Sequence, residues 1–208
     1  MTSRGSWKTV THDWSATVDH DHLADIRARA STLAPDLAHL VLEVLAYAAE
    51  EAEARGGGRA VVTHHRDGTV SVADDGRGTD TRPDGGRAVR KPIMATRDVR
   101  FFDTPEPPVL PDGVARRGMS VVAALSTRLV HLNRRADGAW TQAYERGVPV
   151  TGLDPVPADG STGTTVTFLP DRTLVPLTSL GPDQLRRVAG AFGGQMLQVV
   201  VHLADGDE

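Results

Sequence analysis

The chain of 208 residues contains no cysteine, and aromatic residues make up only 4% of it. The absence of cysteine excludes disulfide bonds, thiolate metal sites and a cysteine nucleophile from these residues. No apolar run reaches the roughly 18 residues that a transmembrane helix needs, and the first residues lack the hydrophobic core of a signal peptide. These absences predict a cytoplasmic protein that makes no direct contact with membranes.

Charge of either sign is not in large excess, since the net charge is −4 at pH 7. A chain with this balance has no general attraction to nucleic acid, so we expect no direct nucleic-acid partner. Hydrophobic residues make up 39% of the chain, and the length suits one sizeable core. We therefore predict a single domain over residues 23–208, preceded by an N-terminal arm or edge strand over residues 1–22.

An amphipathic helix is predicted over residues 37–55 (LAHLVLEVLAYAAEEAEAR). From Leu37 onwards, apolar residues recur at i, i+3, i+4, i+7, i+8 and i+11. Asp36 is expected to cap the start of the helix, and the glycine run from Gly56 is expected to end it. A second stripe beside the apolar row carries Glu43, Tyr47, Glu50 and Glu51. From the helix alone, the simplest interpretation of Glu43 is a surface carboxylate.

After this helix, β-branched runs at residues 59–65 and 69–73 flank a turn and predict a hairpin. It leads into residues 74–79 (DDGRGT), a sequence compatible with either a plain turn or a functional loop. Residues 81–118 are basic and proline-rich, which predicts a lid with only a weak helix at residues 91–99. The other predicted elements are helices over residues 22–32, 118–127 and 181–198, and strands over residues 128–134, 139–146, 160–170 and 199–203.

Five segments of the chain together point to one family. They are LVLEVLAYAAEEA (40–52), DDGRGTD (74–80), GMSVVAALS (118–126), YERGVPV (144–150) and TGTTVTF (162–168). In their order and spacing the chain resembles the N-terminal ATPase domain of DNA gyrase B and other type IIA topoisomerases, in the GHKL superfamily. The resemblance runs from about residue 23 to the end. No segment matches the transducer domain of that family, so we expect a stand-alone domain.

The resemblance implies an α/β two-layer sandwich of the GHKL (Bergerat) type, with a mixed sheet, helices on one face, and ATP or ADP between the layers. Asp74 would accept a hydrogen bond from the exocyclic amine of adenine, assisted by Thr164 through a bridging water. Gly76 and Gly78 would let the backbone approach the base closely. Arg77 would lie along the face of the adenine ring, where a planar guanidinium can stack.

The chain departs from the family pattern at the phosphate end of the implied site. The resemblance makes Glu43 the general base for the water that attacks the γ-phosphate. The asparagine that supplies an oxygen to Mg²⁺ four residues later is replaced by Tyr47, a poor ligand for that ion. In the glycine-rich lid motif, Ala115 and Arg116 replace a histidine and a glycine, while Gly118 is kept. Mg²⁺ binding is therefore doubtful, and we predict no metal ligand.

Two further departures affect the mouth of the implied pocket. Residues 29–35 (RASTLAP) stand where the family has R-P-G-M-Y-I-G, and Thr141 stands where the family has an arginine. In the family the first segment closes over the nucleotide side, and the arginine lies at the pocket mouth where aminocoumarin inhibitors bind. The resemblance therefore implies that Thr141 reshapes a small-molecule site.

The favoured hypothesis is a domain that binds an adenine nucleotide or a similar planar small molecule, with ATP hydrolysis weak or lost. One alternative is an active Mg²⁺-dependent ATPase in which Tyr47 or an aspartate of the lid replaces the missing metal ligand. A second alternative is a repurposed pocket, either a small-molecule enzyme with Glu43, Tyr47 and Asp74 as its titratable groups or a resistance protein that binds a gyrase inhibitor. We expect a monomer or a weak homodimer.

Overall fold

The computed structural model describes residues 11–12, 18–84, 87–176, 183, 186–187, 190–192 and 196–203. The helices are α1 (His20–Ala28), α2 (Ala30–Leu33), α3 (Leu37–Arg55), α4 (Val99–Phe102) and α5 (Met119–Ala124). The strands are β1 (Gly58–His64), β2 (Val70–Asp74), β3 (Thr81–Asp84), β4 (Arg87–Arg90), β5 (Ser126–Arg135), β6 (Gly138–Glu145), β7 (Val148–Pro149), β8 (Asp154–Pro155), β9 (Gly163–Pro170) and β10 (Leu197–Leu203).

Eight strands form one mixed sheet in the order β10-β1-β2-β9-β5-β6-β7, with β8 also paired to β6. The pairing of β1 with β10 is parallel, whereas the other strand pairs of this sheet are antiparallel. Helices α1, α3 and α5 share one hydrophobic core with the inward-facing residues of the sheet. This arrangement confirms the predicted two-layer α/β fold with helices on one face of a mixed sheet.

Helix α3 has the boundaries that its sequence predicts. The side chain of Asp36 accepts a hydrogen bond from the backbone N–H of His39 at 3.0 Å, and Gly56 ends the helix with φ of 77°. The apolar row from Leu37 is buried in the core, where each large side chain contributes about 1.5–3 kcal/mol of hydrophobic stabilisation. The interpretation of Glu43 as a surface carboxylate is wrong, because its side chain is fully buried.

The hairpin predicted after α3 is confirmed as β1 and β2, which pair in antiparallel register with Val62 opposite Val72. Two helix predictions are wrong in their bounds. Residues 22–32 form two helices rather than one, since α1 ends at Ala28 and α2 begins at Ala30. The predicted helix at residues 91–99 is absent, because the residue before Pro92 is restricted to extended backbone and α4 begins only at Val99.

Both ends of the domain also differ from the predictions. Helix α1 begins at His20, so the predicted boundary between an arm and the domain falls inside a helix. Most of residues 1–19, and half of the helix predicted over residues 181–198, lie outside the described residues. The last two positions of that predicted helix, Leu197 and Gln198, belong to β10, where they pair with Gly58 and Arg59. Within the described residues, no helix is long and apolar enough to cross a membrane.

Candidate functional site

A cavity of about 280 Å³ lies between helix α3 and the sheet. This volume is near the lower end of the range of small-molecule pockets, about 300–1,000 Å³. Its apolar lining comes from Val44, Ile93, Met94, Met119 and Val166. An apolar lining suits the faces of a planar ligand, and polar groups beside it would fix the orientation of that ligand.

Asp74 and Thr164 form the first polar end of the cavity, which we call the base end. The Thr164 hydroxyl donates a short hydrogen bond to Asp74 Oδ2, and the backbone N–H of Gly76 donates to Asp74 Oδ1 at 2.8 Å. Burial raises the pKa of Asp74, although these hydrogen bonds oppose that effect. Each carboxylate oxygen keeps a further lone pair. The base end therefore presents a fixed hydrogen-bond acceptor to a ligand.

The loop after Asp74 is held against the sheet by a buried amide. The side chain of Asn133 on β5 accepts a hydrogen bond from Thr79 N–H at 2.8 Å and donates to Thr79 O at 2.9 Å. Gly78 has φ of 80°, and a Cβ atom there would lie 2.6 Å from Asn133 Oδ1. Only glycine allows this close approach of the loop to β5.

Arg77 lies at the rim of the cavity, where it is bound to Glu51. Its Nε donates to Glu51 Oε1 at 2.7 Å and its Nη2 donates to Glu51 Oε2 at 2.9 Å. These hydrogen bonds lower the pKa of the Glu51 carboxyl. Glu51 lines the cavity, whereas the Arg77 side chain is 65% exposed and is not among the described lining residues. The predicted stacking of Arg77 on a ligand ring stays a prediction.

The opposite end of the cavity holds a group of charged and aromatic side chains that we call the Tyr47 cluster. Its members are Tyr47, Glu50, Asp98, Arg100, Phe101 and Arg116. The Tyr47 hydroxyl donates to Asp98 Oδ2 at 3.2 Å, and the Arg116 guanidinium lies over the rings of Tyr47 and Phe101, 4.6 and 4.4 Å from their centroids. Burial, reinforced by the charge of Asp98, raises the pKa of the Tyr47 phenol, so Tyr47 is neutral.

The charged side chains of the Tyr47 cluster form ion pairs with one another. Arg116 Nη1 lies 2.5 Å from Glu50 Oε1, and the Arg116 side chain is only 7% exposed. Arg100 bridges two carboxylates, with Nη2 at 2.9 Å from Asp98 Oδ2 and Nη1 at 3.2 Å from Glu50 Oε1. The two arginines are thus neutralised by side chains of the protein.

Glu43 lies behind the Tyr47 cluster and connects helix α3 to the lid. Its Oε1 accepts from Arg117 N–H at 2.5 Å, and its Oε2 accepts from Gly118 N–H at 2.8 Å. Gly118 has φ of 89°, and a Cβ atom there would lie 2.8 Å from the Tyr47 hydroxyl. Glu43 is not among the described residues that line the cavity. Its role as a general base stays a prediction.

A buried histidine extends this connection. His39 Nε2 lies 3.3 Å from Glu43 Oε1, and His39 Nδ1 lies 2.7 Å from Asp112 Oδ2. Burial on its own would lower the pKa of His39, but the two carboxylates outweigh burial and raise it. Helix α3 and the lid are therefore joined by a carboxylate–imidazole–carboxylate chain.

The side chains of this end do not fit a magnesium ion. Glu43 already accepts two backbone N–H groups, and Tyr47 donates its proton to Asp98. Mg²⁺ requires several oxygen ligands in near-octahedral arrangement. No group of three or more histidine, aspartate or glutamate side chains able to hold a metal occurs in the described part of the chain.

Sequence reasoning assigned no role in the site to six polar residues that line the cavity: Glu50, Glu51, Thr79, Asp80, Lys91 and His131. The first four lie in segments that carry the family resemblance or beside its residues, whereas Lys91 and His131 do not. His131 lies between Leu129 and Asn133 on the inward face of β5, and the alternation of buried residues along this strand is a signal that would have placed it there. Lys91 is one of many basic residues in the segment 81–118, and no local pattern separates it from them.

No family model matches the chain. DNA gyrase B of Thermotoga maritima is 34% identical over 168 residues, which cover 78% of this chain and 26% of that protein. DNA gyrase B of Streptomyces coelicolor is 34% identical over 194 residues, covering 89% of this chain and 28% of that protein. The chain thus spans about a quarter of the length of these curated relatives.

One solved structure is similar in both fold and sequence. It is the topoisomerase IV ATP-binding domain of Francisella tularensis in complex with a small-molecule inhibitor, with a TM-score of 0.64 and 25% sequence identity. The similarity covers 79% of this chain and 45% of that one.

Proposed function

The chain is a gyrase-B-like domain of the GHKL superfamily, and we propose that its pocket binds an adenine ring or a similar planar small molecule without hydrolysing ATP effectively. The homology to gyrase B and the topoisomerase IV ATP-binding domain supports a nucleotide-binding domain. The observation that carries the proposal is the contrast between the two ends of one cavity.

The base end supports recognition of a ring. Asp74 is held by Thr164 and by Gly76, so its acceptor is oriented before any ligand arrives. A preorganised acceptor of this kind loses little entropy on binding. Of the residues that the family resemblance assigns to adenine, Asp74 is hydrogen-bonded to Thr164 and Gly76, and Asp74, Gly78 and Thr164 line the cavity.

The Tyr47 cluster argues against hydrolysis. Phosphoryl transfer depends on positioned cations that neutralise the charge developing on the phosphate oxygens. Here Arg116 and Arg100 are paired with Glu50 and Asp98, and the side chains do not fit Mg²⁺. Glu43, the residue implied as the base, accepts hydrogen bonds from the lid instead of facing the cavity. We therefore propose that binding and hydrolysis are uncoupled in this domain.

Isothermal titration with adenosine, ADP and ATP tests the proposal. We expect adenosine to bind, ATP to bind no more tightly than ADP, and no Mg²⁺-dependent release of phosphate. Asp74→Ala is expected to weaken adenosine binding by about 10–100-fold, since a hydrogen bond to a charged group contributes about 1.5–3 kcal/mol.

Asp75→Ala is the matched control, because Asp75 is the next residue and its side chain is 60% exposed at the outside of the loop. The proposal that the pocket binds an adenine ring is wrong if none of the three ligands binds to the folded protein. Phosphate release that depends on both Mg²⁺ and Glu43 would instead support the active ATPase.

The second candidate function is binding of a gyrase inhibitor. One observation favours it: the cavity is present although the charged groups of the Tyr47 cluster are paired with one another. A planar inhibitor that displaces adenosine in the same titration would support it. We further propose that the domain acts in the cytoplasm as a monomer or weak homodimer, which light scattering across a concentration series would test.

A further inference from the structure

His131 lines the cavity and carries a buried ring nitrogen without a partner. It lies on β5 opposite Val166 of β9, and its residue is 1% exposed. Its Nδ1 atom is buried and has no hydrogen-bond partner among the described residues. Burial lowers the pKa of His131 to about 3, so the imidazole is neutral and offers one donor and one acceptor. The other ring nitrogen, Nε2, is not among the buried unpaired atoms, and it is the nitrogen that a ligand in the cavity would meet.

Lys91 places a positive charge in the same cavity, where Asp98, Asp80 and Glu50 act on it from beyond ion-pair distance. Its residue is only partly exposed, and its side chain forms no ion pair with a residue that the structure describes. Its backbone N–H donates to Asp80 O at 3.2 Å, which fixes the start of this segment beside the loop after β2. Burial lowers the pKa of the Lys91 ammonium, so an anionic partner would be favourable there.

Three of the four carboxylates that line the cavity are, in contrast, in ion pairs. The pairs are Glu50 with Arg116, Glu51 with Arg77, and Asp80 with Arg82. The fourth, Asp74, is hydrogen-bonded by the neutral Thr164 hydroxyl and keeps its acceptor for the ring. Away from Asp74, a ligand can therefore gain little by bringing a cation, and the complementary substituent there carries a negative charge.

We propose that the pocket is selective for a planar ligand with a single compact anionic substituent, held by Lys91, while His131 hydrogen-bonds the edge of the ring. The inference rests on the proposed binding of a planar ring and adds the charge class of the ligand. A carboxylate and a monophosphate share this chemistry. A triphosphate does not fit it, because its further charges would meet the Tyr47 cluster, where Glu50 and Asp98 already occupy the arginines.

The first experiment compares four ligands by isothermal titration: adenosine, adenosine 5′-carboxylate, AMP and ATP. We expect AMP to bind on the order of 10-fold more tightly than adenosine, as a charge-assisted hydrogen bond predicts, and ATP to lose that advantage. The ratio of AMP to adenosine affinity should fall to about one in Lys91→Met. The matched control is Arg128→Met, which removes an exposed cation of β5 outside the cavity and should leave the ratio unchanged.

The second experiment replaces His131. His131→Leu should weaken adenosine and AMP equally, by roughly 3–10-fold, because it removes a hydrogen bond to the ring that both ligands share. The unliganded variant should melt at the same or a higher temperature, since it loses an unsatisfied buried group. His131→Gln, which keeps a donor and an acceptor, should recover part of the affinity. Unchanged affinity in His131→Leu overturns the role of this residue.

The outcomes separate the inference from the proposed function. Tighter binding of both AMP and the carboxylate supports a site for any compact anion, and tighter binding of AMP alone supports a phosphate site. Adenosine binding with no gain for either anion overturns the inference and leaves the proposed function standing. Failure of adenosine itself to bind the folded protein overturns both.

Discussion

The two ends of the cavity differ in the partners of their polar groups. At the base end, Asp74 is oriented by Thr164 and Gly76 and keeps capacity for a ligand. In the Tyr47 cluster, Arg116 and Arg100 are bound by Glu50 and Asp98, so a ligand phosphate would have to compete with the protein's own carboxylates. In the proposed function, recognition of a ring and neutralisation of phosphates therefore depend on separate sets of residues.

The largest expected effect concerns the connection behind the Tyr47 cluster. Glu43→Ala should lower the free energy of unfolding by about 3–5 kcal/mol, because two lid N–H groups and His39 lose their buried partner. Adenosine affinity of the folded fraction should remain, since Glu43 does not line the cavity in the part of the chain described. Urea unfolding measures the change. The control is Glu53→Ala, since Glu53 is an exposed residue of the same helix. If both variants lose the same small amount of unfolding free energy, Glu43 has no structural role.

The next effect concerns the base end. Adenosine affinity should fall by about 10–100-fold as the pH is lowered through the pKa of Asp74, because the protonated carboxyl no longer accepts in the same way. Burial raises that pKa above its ordinary value of 3.8, so the loss begins at a higher pH than an exposed aspartate would give. His131, with its pKa of about 3, contributes no charge change above about pH 4.

Titration of adenosine at a series of pH values measures this dependence. Asp74→Asn should bind weakly at every pH and show no such slope. A slope that persists in Asp74→Asn would assign the titration to another group.

A smaller effect is expected when Tyr47 and Arg116 of the Tyr47 cluster are replaced by the residues of the family pattern. In Tyr47→Asn combined with Arg116→Gly, the ratio of ATP to adenosine affinity in the presence of Mg²⁺ should rise on the order of 10-fold, equivalent to about 1.4 kcal/mol. The physical reason is that the amide restores an oxygen ligand for the metal and the glycine frees lid N–H groups. Tyr47→Phe, which keeps the ring and loses only the hydroxyl, is the control and should not change the ratio.

The smallest expected effect is the pH dependence of the unfolding free energy that arises from His39, which lies between Glu43 and Asp112. Because Glu43 and Asp112 raise the folded-state pKa of His39 above its ordinary value of 6.5, protonation contributes stability that is fully present below about pH 6.5. That contribution is lost as the pH rises through the raised pKa. In His39→Asn, unfolding free energy measured across this window should be lower at pH 6 and flatter towards alkaline pH. An unchanged slope would exclude His39 as its source.

Features with local causes could be predicted from the sequence. The capping of α3 by Asp36, its end at Gly56 and the β1–β2 hairpin depend on neighbouring residues, and the structure has them as predicted. Asp74 and Thr164 were found because they belong to motifs typical of a family. The helix expected at residues 91–99 failed because Pro92 and the cap of α4 at Asp98 outweighed a weak local preference.

The partners of the polar groups could not be predicted in the same way. Glu43 binds lid N–H groups 74 and 75 residues away, and Glu50 binds Arg116 across 66 residues. The lid sequence shows Ala115 and Arg116 in place of phosphate-binding residues but carries no sign of which carboxylate Arg116 meets. His131 likewise becomes a cavity residue only through the pairing of β5 with β9.

Periodic patterns in the chain specify the two-layer fold, and its motifs indicate Asp74 and Thr164 as candidate site residues, because short-range hydrogen bonds, turn geometry and hydrophobic spacing act between neighbours. Tertiary packing decides which charges remain available to a ligand. It pairs Arg116 with Glu50 and encloses Glu43, while among the described residues it leaves Lys91 at the cavity without an ion pair and His131 Nδ1 without a hydrogen bond. The reason is that the interaction energy of two charges depends on their distance in space and on their burial. Neither quantity can be read from separation along the chain.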